Sequence, residues 1–118
     1  MNPIERINPG ARLSDMTVYN GVAYLSGQCC DDGSLDVTGQ TTQVLAAVDK
    51  LLARAGSDRS HVLFAQIFLV DLADFAGMNK AWEAWVPSGQ APARATLQSK
   101  LAKPEWKVEI VVTAAVPG

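Results

Sequence analysis

Three observations predict an α+β fold in the order β-β-α-β-α-β-β. Two β-rich runs meet at Asn20-Gly21, a dipeptide that accepts the positive φ angles of a tight hairpin turn. Two later stretches repeat apolar residues at three- and four-residue steps, the spacing of amphipathic helices. Between and after them lie runs rich in β-branched and aromatic residues, which read as strands. A chain of 118 residues builds one core, so residues 1–118 are expected to form a single domain with a mixed sheet and both helices on one face.

Each element has its own local reason. After a short extended start, "MTVYNGVAYLSGQ" gives the hairpin. "CCDDGSLDVTG" has loop composition, with Asp36 or Thr38 placed to cap the helix that follows. In that helix Val44, Leu45, Val48, Leu51 and Leu52 form the apolar stripe, and Gly56 lies where a C-terminal cap belongs. "HVLFAQIFLV" is apolar on both parities, which predicts a central strand buried on both faces. "DLADFAGMNKAWEAWV" follows as the second helix, carrying Leu72, Phe75, Met78, Trp82 and Trp85 at helical spacing with Asp71 at its cap. Pro87, Gly89 and Pro92 end it, and strands at 94–101 and 107–115 flank the turn "AKPEW". Helices on one face leave the other uncovered, and Val111 and Ala115 make that parity of the last strand partly apolar. Oligomerisation through the second face is expected.

Composition narrows the function. Ten Lys+Arg against twelve Asp+Glu leave a net charge of −2, without the basic footprint that holds a polyanion, so nucleic acid is not an expected partner. "MNPIERINPG" lacks the apolar core of a signal peptide, and no run reaches membrane-spanning length, so no membrane partner and a cytoplasmic location are expected. Cys29 and Cys30 are adjacent, which suits neither a disulfide nor a zinc site, and are read as structural thiols. Metal-ligand clusters and phosphate loops are absent from the sequence, and the lone His61 has no visible partner for a triad.

Few side chains remain to carry chemistry. On strand 94–101 one parity holds Arg94, Thr96, Gln98 and Lys100, facing water, a pocket or a partner. Arg94 can present its planar fork to a carboxylate, or it can form a surface ion pair worth about 0 to 1 kcal/mol. Glu109, flanked by Val108, Ile110, Val111 and Val112, is either an exposed strand charge or an acid kept to hold a water. Asn79 sits among Phe75, Met78 and Trp82, where an amide can satisfy a buried backbone group. If the last two strands pair as a hairpin, Arg94 and Glu109 need not stand opposite each other.

Five short segments, "LSGQ", "VTGQT", "VDLADFAGMN", "APAR" and "KVEI", together resemble the Rid family of RidA/YjgF type, and most closely its YoaB-like branch. They are spread from about position 12 to position 115, and their order and spacing make the resemblance specific. It implies a chorismate-mutase-like fold and a homotrimer with a ligand cleft at each subunit interface. The implied activity is hydrolysis of enamine/imine intermediates such as 2-aminoacrylate to 2-keto acids and ammonia. By position, Arg94 matches the arginine that binds the substrate carboxylate and Glu109 the acid that positions the attacking water. Asn79, Ser26 and Thr96 match substrate-binding positions, with the Gly27 backbone alongside. Such chemistry needs a held carboxylate and an activated water but no cofactor. The chain departs from the deaminase pattern at Leu13, where the family carries a pocket tyrosine, and at Cys30, Thr96 and Val111. The resemblance also leaves room for a trimer that binds a small carboxylate without turning it over.

Overall fold

The computed structural model describes residues 3–118. Its strands are β1 (Glu5–Ile7), β2 (Met16–Tyr19), β3 (Val22–Leu25), β4 (Val62–Leu69), β5 (Ala93–Gln98) and β6 (Val108–Ala115), with helices α1 (Val37–Arg54) and α2 (Phe75–Trp85). The predicted α+β class and both helices are present. The extended start is itself a strand, which three residues are too few to announce by periodicity; β1 is fixed by antiparallel pairing with β2.

Local signals act where expected. Asn20 and Gly21 take φ 51° and 75°, and Tyr19 pairs with Val22 across the turn. Asp36 caps α1 by accepting from the Gly39 amide, and Gly56 follows the helix end at φ 76°. Asp71 instead caps a single 3-10 turn, Leu72–Asp74, that precedes α2. Leu72 and Phe75 therefore lie exposed, whereas Met78, Trp82 and Trp85 are buried.

The sheet order is β1-β2-β3-β6-β4-β5, so the last two strands are not a hairpin. β4 lies between them, antiparallel to β6 and parallel to β5. The loop carrying Pro104 therefore spans a strand rather than making a two-strand turn. β5 also ends at Gln98, earlier than the alternation suggests, and Ser99 donates its amide to Leu69.

One face of the sheet carries the core. Met16, Ala23, Leu25, Ala65, Ile67, Leu69, Val108, Ile110, Val112 and Ala114 pack against the apolar stripes of α1 and α2. In β4 this burial stops at alternate residues: Phe64 is 37% exposed, and Gln66 and Phe68 are half-buried. A β4 buried on both faces is thus not what the single chain contains, because among the described residues no helix covers the second face. That face carries Tyr24 at 51% and Leu97 at 44% exposure.

Gln40 ties two distant loops to the helix. Fully buried, it donates to the carbonyls of Gly33, Leu35 and Glu105 and accepts from the Lys107 amide. The loop before α1 and the loop before β6 are thereby held against each other, which fixes where β6 begins.

Candidate functional site

Strand register places Arg94 and Glu109 on opposite faces of the sheet. Arg94 pairs with Ala65 and Glu109 with Phe68, and residues three apart on one strand point to opposite sides. Arg94 shares the helix side with the core; Glu109 stands on the uncovered side. The two candidate groups therefore stand apart within one chain, each the centre of a candidate half-site.

The first half-site lies where α2 meets the edge strand β5. Phe75, Asn79 and Trp82 fall at i, i+4 and i+7, one stripe of the helix surface. Arg94 lies over the rings of Phe75 and Trp82, 5.7 and 5.5 Å from their centroids, and its Nη1 donates to Asn79 Oδ1 at 2.7 Å. Asn79 thus serves a side chain and not the backbone. Among the described residues no carboxylate pairs with Arg94, so the ion-pair alternative is not realised. Thr96 shares this side through its register with Ile67, and its Oγ1 is shielded from solvent without a hydrogen-bond partner. Because Ser99 bonds back to Leu69, the N–H groups of Arg94, Thr96 and Gln98 point away from β4 along an edge that no other described strand pairs.

The second half-site surrounds Glu109. Gln28 exchanges both backbone hydrogen bonds with Ile110, which brings the segment after β3 alongside β6. The Glu109 carboxylate rests against Gly27 so closely that an added Cβ would lie 2.8 Å from its Cδ and closer still to Oε2. Only glycine leaves that space open. Cys29 donates from Sγ to Glu109 Oε1 at 3.3 Å. Ser26 is turned the other way: its hydroxyl donates to the Asp15 carbonyl and accepts from Gln28, so it supports the strand end.

The thiols are not activated. Burial first, then the Glu109 hydrogen bond, pushes Cys29 up from 9.0 to about 12, and burial raises Cys30 as well. Asp58 is held low by the Ser60 hydroxyl and then by His61, whose Nδ1 meets the same oxygen. His61 is thereby occupied in a surface turn.

Two grooves of the single chain lie elsewhere. A groove of about 170 Å³ between the helices is lined by Leu45, Arg59, Ala81 and Trp85 among others, and a wider one is lined by Asn8 and Gly10 to Leu13. Neither includes Arg94 or Glu109, as follows if each half-site is open until something covers it. Leu13 is 60% exposed there. Sequence reading missed Cys29 beside Glu109 and the rings beneath Arg94. The stripe Phe75-Asn79-Trp82, with one amide among aromatics, carried the signal for the rings; for Cys29 no signal exists without the β3–β6 pairing.

Residues 3–116 match the family model described as Endoribonuclease L-PSP. A RutC family protein of Haemophilus ducreyi is 47% identical over 113 residues, covering 96% of this chain and 97% of that protein. The RutC family protein YoaB of Escherichia coli is 46% identical over 113 residues, covering 96% and 98%. Among solved structures, a YjgF family member from Neisseria meningitidis superposes with a TM-score of 0.95 at 43% identity, covering 98% of this chain and 97% of that one.

Proposed function

The chain belongs to the RutC/YjgF (Rid) family, and on that premise we propose that it hydrolyses reactive 2-enamino and 2-imino acids to 2-keto acids and ammonia without a cofactor. One observation carries this reading most: a half-buried guanidinium, oriented by Asn79 and two aromatic rings, has no acid partner among the described residues. An oriented fork with unspent charge suits a small carboxylate, which it grips with two parallel bonds. The outward N–H of Thr96 adds a further donor beside it.

A homotrimer unites the halves. If the β5 edge of one subunit packs on the uncovered face of the next, Arg94 of one copy approaches Glu109 of another, and three such heterologous contacts close a ring. The exposed Phe64, Tyr24 and Leu97 supply apolar area for the contact.

In that cleft Arg94 holds the carboxylate of the substrate. An enamine such as 2-aminoacrylate takes a proton from solvent at its terminal carbon and becomes the protonated imine. Glu109 removes a proton from a water whose oxygen attacks the imine carbon, giving a carbinolamine. Glu109 then gives that proton to nitrogen, the hydroxyl releases its own proton to solvent as the carbonyl forms, the C–N bond breaks, and the products are the 2-keto acid and ammonia.

Keto-acid release from freshly generated 2-aminoacrylate tests the reading. Release above the spontaneous rate is expected, with Arg94→Ala and Glu109→Ala returning it to background; a wild-type rate at background sinks it. Leu13 favours a second reading, in which the trimer binds a small carboxylate without turnover. A side chain without a hydroxyl, 60% exposed, stands where the family tyrosine is expected. Calorimetric titration with pyruvate and 2-ketobutyrate would then show binding that Arg94→Ala removes.

A further inference from the structure

The geometry points to Cys29 as a positioning residue for Glu109: its thiol donates to Oε1 and holds the carboxylate in the slot over Gly27. The inference rests on the proposed hydrolase for its kinetic consequence, but not for the bond itself.

Two contacts converge on one carboxylate. Cys29 Sγ lies 3.3 Å from Oε1, while the Oε2 side abuts the hydrogen-only face of Gly27. Gly27 sets how near the carboxylate approaches the backbone, and the thiol sets its rotation about the last side-chain bond. That rotation is otherwise broad, since a terminal carboxylate has no staggered wells to hold it. Both residues come from the segment after β3 that Gln28 pins to Ile110, so slot and donor are built on the same backbone.

A thiol suits this post. It is a weak donor, so it orients the carboxylate while withdrawing little electron density from the oxygen that must take a proton. It is also kept protonated by its burial and by the acid beside it, so it does not compete as a nucleophile for an electrophilic imine.

The S–H stretching band, read by Raman spectroscopy in a window free of other protein bands, tests the bond directly. Cys30→Ser leaves the Cys29 band alone. We expect that band at lower frequency than a free thiol, moving up in Glu109→Ala. Kinetics test the consequence: Cys29→Ala lowers kcat about five- to tenfold with KM for the enamine unchanged, and Cys29→Ser restores most of it. A band that does not move with Glu109→Ala, or a kcat unchanged in Cys29→Ala, overturns the inference. A wild type without turnover overturns the hydrolase reading instead, and the band then decides alone whether Cys29 holds Glu109.

Discussion

Asn79 Oδ1 accepts a 2.7 Å hydrogen bond from Arg94 Nη1, linking the second helix to the open edge of the sheet. The bond fixes one arm of the guanidinium, and the rings of Phe75 and Trp82 limit its tilt. Hydrogen bonds to charged groups contribute about 1.5 to 3 kcal/mol. Asn79→Ala should therefore weaken binding of pyruvate by about tenfold in calorimetric titration with little change in melting temperature. An unchanged affinity would remove Asn79 from the proposed ligand site.

Gly27→Ala should separate activity from folding. The new methyl meets a side chain, Glu109, and not rigid backbone, so the carboxylate swings away and the chain still folds. Displacement of a reacting group by about 1 Å costs on the order of 100-fold in rate. Keto-acid release should fall by that order while the melting temperature moves only a few degrees; full activity would show that Glu109 need not occupy this slot.

Phe64→Asp should disperse the proposed trimer. Phe64 sits on the uncovered face, and a carboxylate placed in an apolar contact must be desolvated without a partner. Light scattering should report a monomer with unchanged far-ultraviolet circular dichroism, and turnover should vanish with the cleft. A trimer that persists would place the contact on another surface.

Gln40→Leu should destabilise without touching either half-site. The substitution leaves the carbonyls of Gly33, Leu35 and Glu105 and the amide of Lys107 without their partner. At about 1 to 3 kcal/mol for stranded buried groups, the loss should reach roughly 3 kcal/mol even if water enters to satisfy some of them. Urea denaturation should show a lower midpoint at an unchanged slope. A shift under about 0.5 kcal/mol would mean the loops hold together by other contacts.

Cys29 should make stability depend on alkaline pH. Its folded-state pKa is raised from 9.0 to about 12, so between those values the folded chain keeps a proton that the unfolded chain has released. The contribution is complete below 9.0 and is lost as pH rises through about 12. Urea midpoints should fall over this window more steeply for the wild type than for Cys29→Ser. Parallel curves would show that the thiol is not responsible.

Much of the architecture was legible because local chemistry enforces it. Asn20-Gly21 allows a turn that few dipeptides allow, Asp36 supplies the acceptor that a helix start lacks, and the Val44 to Leu52 stripe has one face to bury. Glu109 and Asn79 could be singled out because their types fit poorly with apolar neighbours, and Arg94 because its planar fork heads the polar parity of its strand. β1 was legible only as an extended start, since a strand of three residues owes its form to the strand beside it.

By itself, the sequence determined the class of fold, the helices and their caps, the hairpin, and the side chains worth suspecting. Tertiary structure alone decided where those side chains stand. The insertion of β4 between β5 and β6 is a long-range pairing with no local signature, and its register sends Arg94 to the helix side and Glu109 to the uncovered side. The β3–β6 pairing likewise brings Cys29 to Glu109 across 80 positions of chain. Local propensity acts over a few residues, whereas a site is made by pairings whose partners the chain meets only on folding.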